Sequence, residues 1–130
     1  MFLKLALKKC IVTDPQWSIH GLWIDNDNGT WPEYCPKMEF DPIPEDLLMN
    51  MNANWYSCQG DNHDFWVHEL DKHGSCIKKI INSDLTSTIL FNTTLLFFDA
   101  MLPYIDYYCA KGLECFIKYL RNPTLGLNQH

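Results

Sequence analysis

The apolar and polar positions along this 130-residue chain follow two periods, one typical of strands and one of helices. Residues 16–24 alternate imperfectly between apolar and polar types, which predicts a buried strand that ends in a turn at Gly21. Asn, Asp and Gly are frequent over residues 25–32 and predict a loop. Short strands beside several helices favour an α+β domain.

Helical periodicity predicts three helices. The first begins after Pro44, and its apolar face comprises Leu47, Leu48, Met51 and Trp55. The second begins at Phe65, after a loop over residues 58–64, and its apolar stripe comprises Trp66, Leu70, Ile77 and Ile81. The third covers residues 84–102 and ends at Pro103, because proline cannot continue a helix. No single period fits residues 104–121.

Charge and length then narrow the class of protein. The chain has 10 basic and 16 acidic residues, a net charge of -6, which argues against a polybasic nucleic-acid binder but not against an enzyme that binds a few phosphates. No run reaches the roughly 18 uninterrupted apolar residues of a membrane span, so we expect no membrane partner. Residues 1–9 are too short for a signal peptide, so we expect that a signal was removed or that the chain begins inside a longer protein.

The cysteine pattern indicates disulfides. The six cysteines include no C-x-x-C pair, which disfavours a zinc ribbon or a thioredoxin-type site. Disulfides form in oxidising compartments. Asn28 and Asn92 each begin a glycosylation sequon, which suits a secreted protein.

Candidate chemistry is concentrated in residues 19–23 (Ile-His-Gly-Leu-Trp) and residues 65–76, which together contain three of the five histidines. On a helix, His68 and Lys72 share a face, and Glu69 and His73 share the adjoining face. Two imidazoles, an ammonium and a carboxylate can transfer protons near neutral pH and neutralise a phosphate.

Three other interpretations compete with this one. A zinc protease needs H-E-x-x-H, whereas His68 and His73 are five residues apart and about 140° apart around a regular helix. The second segment could instead be a solvated helix face, and His20 a satisfied core histidine. The tryptophans near these segments are more typical of core or wall positions than of base-stacking surfaces. We expect no metal.

Taken together, residues 19–23 and the pattern Trp66-Val-His-Glu-x-x-Lys-His-Gly-Ser-Cys76 resemble the two active-site signatures of the ribonuclease T2 family, with Trp17 where the family commonly has another aromatic. The resemblance implies a ribonuclease T2-like (ribonuclease Rh-like) α+β fold, with an antiparallel sheet, several helices and disulfides. It also implies secreted, metal-independent acid endoribonuclease activity. Single-stranded RNA would be cleaved through a 2′,3′-cyclic phosphate, whereas DNA lacks the 2′-oxygen and cannot react.

Residue roles follow from the same resemblance. His73 is the implied base and His20 the implied acid, although the two labels could be exchanged. His68 would bind phosphate, while Glu69 and Lys72 would stabilise the transition state. The implied substrate-binding walls are Trp23 and Trp66. The implied disulfides are Cys35–Cys76 and Cys10–Cys58, with Cys109 and Cys115 left to pair locally.

The chain also departs from the family pattern. Family members carry an N-terminal strand with a Gln-Trp-Pro motif, and further strands and cysteines after the third helix. Neither is evident here, so we expect one domain over residues 1–130 that is incomplete at both ends and lacks its central strand. We expect a monomer that needs no cofactor, operates at mildly acidic pH and is secreted or sent to a vacuole or lysosome. The alternative is a catalytically weak T2-like recognition or storage protein.

Overall fold

The computed structural model describes residues 1–11 and 15–119. Three strands and five α-helices appear in chain order. They are β1 (Phe2–Lys8), β2 (Ser18–Asp25), α1 (Glu45–Asn54), α2 (Asn62–Glu69), α3 (Ser75–Ile80), α4 (Ser87–Met101), α5 (Ile105–Tyr108) and β3 (Glu114–Tyr119). The architecture is α+β with an antiparallel sheet, as the sequence predicts.

The sheet has the strand order β2-β1-β3, so the first strand of the chain is the central one. Leu3, Leu5 and Leu7 of β1 point into the core, and the intervening residues point to the other face. The expectation that the central strand is missing is therefore wrong. Phe2–Lys8 supplies it without a Gln-Trp-Pro motif, because alternating leucines are enough to bury one face of a strand.

Strand β2 does not turn at Gly21, contrary to the sequence prediction. It continues to Asp25, and the register with β1 shifts by one residue: Ala6 pairs with Gly21, whereas Leu7 pairs with Ile19. His20 is the extra residue of this β-bulge. A bulge bends a strand and redirects a side chain without ending the strand.

Helix α1 and its apolar face are confirmed, but two other helix boundaries differ from the prediction. Helix α2 begins at Asn62, three residues before Phe65, because the Asp61 side chain accepts a hydrogen bond from the Asp64 amide and caps the helix. Helix α4 begins at Ser87 after the Thr86 cap. These caps are polar and lie outside the apolar stripes from which the helices were predicted.

Helix α4 ends at Met101, within one residue of the end predicted before Pro103. Pro103 lies in a 3₁₀ turn, Leu102–Tyr104, that leads directly into α5. The resulting stretch Ser87–Tyr108 has 22 residues and contains a window of mean hydropathy 1.3, so its length and composition alone would allow it to cross a membrane. One side of it is core, however: Phe91, Leu95 and Phe98 are each at most 2% exposed.

A π-helical turn, Leu70–Gly74, joins α2 to α3, and the Ser75 amide donates to the Leu70 carbonyl five residues earlier. Gly74 lies where α4 packs against this turn. A Cβ there would be 2.6 Å from Leu90 Cδ2, so only glycine allows this close packing.

Three disulfides link these elements: Cys10–Cys58, Cys35–Cys76 and Cys109–Cys115. They are the pairs that the family resemblance implies. Cys35–Cys76 joins the loop after β2 to α3. The disulfides and the core of β1, β2, α2 and α4 thus fix the positions of the two histidine segments.

Candidate active site

The two histidine segments meet at a cavity of about 360 Å³ beside the sheet. Strand β2, the helix α2 with its π-helical turn, the loop before Cys35 and strand β3 all contribute to its wall. All five polar residues predicted from the sequence line this cavity: His20, His68, Glu69, Lys72 and His73. The two segments are far apart along the chain, but their polar side chains lie together in one cavity.

Glu69 is the buried centre of the cavity wall, with 4% of its side chain exposed. Its Oε1 accepts a hydrogen bond of 2.9 Å from Trp23 Nε1, and its Oε2 lies 3.4 Å from His20 Nε2. Gly21 makes room for this carboxylate, because a Cβ there would be 2.3 Å from Glu69 Oε1. The Glu69 carboxylate can accept a hydrogen bond from a protonated His20 and fix the direction of its ring.

The β-bulge turns His20 toward the cavity, and its backbone is held on both sides. Lys8 Nζ donates to the Ile19 carbonyl at 3.0 Å and to the Tyr56 carbonyl at 2.7 Å. Trp55 Nε1 donates to the His20 carbonyl at 2.9 Å. His20 itself is 35% exposed, so the alternative of a buried core histidine is wrong.

His73 is nearly buried, and its ring stacks on Trp23 with ring centres 4.4 Å apart. The pKa of His73 is lowered to about 4, chiefly by burial; the negative Glu69 and Glu33 oppose this shift, and Lys72 and His20 add to it. Its Nδ1 is buried and has no hydrogen-bond partner in the described part of the chain, so an imidazolium would carry an unsatisfied N–H there. His73 is therefore a neutral imidazole at mildly acidic and neutral pH.

Lys72 and the exposed His68 supply positive or hydrogen-bonding groups at the cavity rim. Lys72 Nζ is 3.7 Å from Glu33 Oε2, which also accepts a 3.0 Å hydrogen bond from Trp31 Nε1. The loop that carries Trp31 and Glu33 is tied to the helix because the Tyr34 amide donates to the Lys72 carbonyl at 2.9 Å. Loop and helix thus form one wall.

The argument against a zinc protease assumed a regular α-helix between His68 and His73, but a π-helical turn lies between them. Because its hydrogen bonds span five residues, residues five apart come closer to one face than on an α-helix, and His68 and His73 both line the cavity. The angle of about 140° expected on a regular helix therefore does not apply here.

Trp66, predicted as a substrate-binding wall, belongs to the core. It is 2% exposed, and its Nε1 donates to the Trp55 carbonyl at 2.6 Å. Helical periodicity already placed it on the apolar stripe. Trp23 does line the cavity, as predicted.

Sequence reasoning missed several other residues that line the cavity: Lys4, Ile24, Asp25, Trp31, Glu33 and Phe116. Strand alternation could have found Asp25, because it is two residues beyond Trp23 and shares its face. Lys4 and Phe116 come from the two ends of the described chain, and only the β1–β3 pairing brings them together.

A second cluster of possible ligands lies on the surface, where Asp61, His63 and Asp64 each bring one ligand atom within 4.8 Å of the others. Asp61 caps α2. The positive end of the helix dipole at this position opposes a bound cation.

Fold and site together define a disulfide-linked α+β protein with a cavity whose wall includes three imidazoles, the ammonium group of Lys72 and the buried carboxylate of Glu69. The chain belongs to the ribonuclease T2 family, whose model matches residues 4–115. Similar curated proteins include ribonuclease DdI of Dictyostelium discoideum, 44% identical over 62 residues, which are 46% of this chain and 27% of the relative. Ribonuclease T2 of Aspergillus oryzae is 40% identical over 73 residues, 49% of this chain and 26% of the relative.

Solved structures show the same fold. A variant of ribonuclease MC1 matches with a TM-score of 0.66 and 21% identity, over 84% of this chain and 64% of that one. The self-incompatibility SF11-RNase of Nicotiana alata matches with a TM-score of 0.64 and 23% identity, over 82% of this chain and 62% of that one. In these comparisons the chain spans about a quarter of the curated relatives and under two thirds of the solved chains.

Proposed function

We propose that this protein cleaves single-stranded RNA by transesterification. The single observation that carries the proposal is the arrangement of His20 and His73 in one cavity, one imidazole against a carboxylate and the other held neutral. Such a reaction needs one group that donates a proton and one that accepts a proton, and different surroundings favour these two states in two imidazoles. Membership of the ribonuclease T2 family supports it.

In the proposed reaction, neutral His73 removes the proton of a ribose 2′-hydroxyl. The 2′-oxygen forms a bond to the adjacent phosphorus while the bond from phosphorus to the 5′-oxygen breaks. Protonated His20 donates its proton to the departing 5′-oxygen, which leaves a 2′,3′-cyclic phosphate and a free 5′-hydroxyl. The low pKa of His73 favours this assignment of base and acid over the exchanged one, because His73 is already unprotonated in mild acid.

The remaining polar residues stabilise charge or hold position. Lys72 and His68, at the rim, are suited to bind the phosphoryl oxygens as negative charge develops on them. Glu69 contacts His20 and Trp23, so we assign it to orient the acid. The protein groups supply both proton transfers, and we propose that no metal is required.

Replacement of His20 or His73 by Ala tests the proposal. Each variant should lose about 10²–10⁴ in kcat, because each residue acts on a bond that forms or breaks. Replacement of His68 or Lys72 should weaken cleavage less, since these two share the phosphate. His63→Ala is the matched control, because His63 packs on Phe40 outside the cavity.

Kinetics on a dinucleotide and on RNA, with circular dichroism to verify folding, provide the measurement. A folded His73→Ala protein with most of the wild-type rate would contradict the mechanism. Loss of activity in EDTA with recovery in zinc would indicate a metal hydrolase instead.

A second candidate is a catalytically weak or inactive T2-like recognition or storage protein. The contact between Glu33 and Lys72 favours this alternative, because a carboxylate already neutralises the lysine that a phosphate would use. Wild-type protein that folds but shows no cleavage between acidic and neutral pH would establish it.

We further propose that the protein is a secreted or vacuolar monomer that acts on RNA and not on DNA. Three disulfides suit an oxidising compartment. Asn28 and Asn92, in the two sequons, are both exposed. A mobility shift of the purified protein after glycosidase treatment would identify glycans at these positions.

A further inference from the structure

One face of the three-stranded sheet carries aromatic and basic side chains. In the register, Lys4 lies opposite Trp23 on β2 and opposite Lys118 on β3. Ala6, two residues further along β1, lies opposite Phe116, and Phe2 lies two residues before Lys4. Since directly paired residues and residues two apart point to the same side, these side chains share one face.

At β2 this face meets α2 and the π-helical turn, where Trp23 hydrogen-bonds to Glu69 and stacks on His73, whereas at β3 its side chains are exposed. The opposite face packs on the core, where Tyr119 stacks on Phe97 of α4 with ring centres 4.5 Å apart. On the outer face, Phe116 is 45% exposed and Lys118 is exposed. An aromatic ring and a lysine side chain are thus accessible on this face.

Lys4 and Lys118, both on this face, are direct cross-strand neighbours, an arrangement that is unfavourable for like charges. Lys4 Nζ is 3.0 Å from Asp25 Oδ2 and 5.0 Å from the centre of the Phe116 ring. Lys118 Nζ lies 5.6 Å from the centre of the Phe2 ring. Asp25 neutralises Lys4, and Lys118 is an exposed positive charge on this face in a chain of net charge -6.

The face is continuous with the histidine cavity, because Lys4, Trp23 and Phe116 belong to both. A strand of RNA that places a phosphate between the histidines would therefore have its neighbouring nucleotides beside these residues. Single-stranded nucleic acid alternates flat bases with anionic phosphates, and proteins bind it with aromatic rings and lysines on a sheet.

We propose that this face, the sheet platform of Phe2, Lys4, Trp23, Phe116 and Lys118, binds nucleotides of a single-stranded RNA beyond the phosphate that is cleaved. The inference rests on the proposed function, since it deepens the same site. Phe116 stacks on a base, and Lys118 pairs with a phosphate at least one nucleotide from the cavity. Glu114, which lies opposite Lys8, marks the acidic limit of the platform on β3.

Binding of uncleavable RNA tests the platform independently of catalysis. Fluorescence anisotropy would measure the Kd of 2′-O-methyl oligonucleotides of two and eight nucleotides. The longer one should bind the wild type at least 30-fold more tightly, which exceeds the roughly sevenfold gain from its larger number of binding registers. Lys118→Gln should weaken binding of the longer oligonucleotide about three- to fivefold and reduce its salt slope by about 0.7, the value for one lost contact with single-stranded phosphate.

Phe116→Leu keeps an apolar side chain but removes the ring, and should weaken binding about fivefold or more through lost stacking. Lys79→Gln is the matched control, because Lys79 is an exposed lysine on α3 outside the platform and the cavity. Thermal melting verifies folding. Lys118→Gln should melt no lower than the wild type, since it removes a like-charge pair.

Equal effects of Lys118→Gln and Lys79→Gln on the Kd of the longer oligonucleotide would overturn the platform. An affinity gain with oligonucleotide length no larger than the gain from the number of binding registers would overturn it too. Sedimentation showing a dimer that buries Phe116 would also overturn it. Cleavage kinetics on RNA are measured separately. Cleavage without this length dependence contradicts only the platform, whereas length-dependent binding without any cleavage supports the platform and contradicts the proposed catalysis.

Discussion

At the scale of single residues, the burial of His73 determines the charge state of the site. A folded-state pKa of about 4, against an ordinary value of 6.5, means that the unfolded chain binds a proton between these pH values and the folded chain does not. Folding is therefore penalised as the pH falls through this window. The contribution of His73 to stability is fully present above pH 6.5 and is lost by about pH 4.

We accordingly expect the free energy of unfolding to fall on acidification by about 3 kcal/mol more in the wild type than in His73→Gln between pH 6.5 and 4. The difference arises because glutamine fills the site with a neutral group that does not titrate. Urea unfolding at several pH values measures it. His63→Gln, at an exposed position, should retain the wild-type slope. Parallel pH curves for wild type and His73→Gln would show that His73 titrates normally.

Glu33 is a second single residue that affects the site, because its carboxylate lies against Lys72 at the cavity rim. Glu33→Gln should lower the KM for RNA about two- to fivefold, because it removes a partly exposed carboxylate that competes with phosphate for Lys72. Initial rates at low ionic strength measure this effect, and added salt should reduce it. Glu39→Gln, an exposed change outside the cavity, should leave KM within error. A higher KM in Glu33→Gln would show instead that Glu33 positions Lys72.

At the scale of elements, strand β2 and the last residue of helix α2 fit together through Gly21. Gly21→Ala should lower kcat about tenfold or more, because the new Cβ displaces Glu69 from Trp23 and His20. In the double variant with Glu69→Ala, the alanine at position 21 should cost less, since the closest atom is gone and only the contact with Trp23 Nε1, at 2.7 Å, remains tight. Equal losses from Gly21→Ala with and without Glu69 would show that the strand itself is distorted.

The elements also show what sequence patterns could and could not predict. Apolar stripes predicted α1 and the helix around Trp66, because burial of one face leaves a clear period. The bulge at His20 and the π-helical turn were missed, since each depends on pairing or packing with another element. Local motifs predicted His20 and Trp23 on β2 and the polar cavity residues of α2 and the π-helical turn. Phe116 and Lys4 required the β1–β3 pairing, which no local pattern encodes.

At the scale of the whole molecule, the disulfides have unequal effects. Cys35–Cys76 closes a separation of 41 residues and Cys109–Cys115 one of only 6. Chain entropy then gives stabilisations of about 4 and about 2 kcal/mol. Replacing both Cys35 and Cys76 by Ser should therefore cost more stability, and should also lower cleavage because the loop with Trp31 and Glu33 is released from the helix.

Urea unfolding and cleavage kinetics of the two paired-serine variants provide this comparison. The Cys109→Ser/Cys115→Ser protein is the control, because this disulfide does not link the two histidine segments. If the two variants lose stability and activity to the same extent, the cross-link to α3 has no special part in holding the site.

Because of the π-helical turn, the geometry of the site depends on the number of residues in this segment as well as on their identity. Asp71 belongs to this turn but does not line the cavity, so deleting it would leave every acid–base residue in the chain. The segment would return to an unbroken α-helix, in which four residues turn through about the same angle as the five of the π-helical turn. Cys76 would then keep its direction toward Cys35, while His68 and His73 would be four residues apart instead of five. The loss of one codon here would change the spacing of the two histidines without breaking the helix.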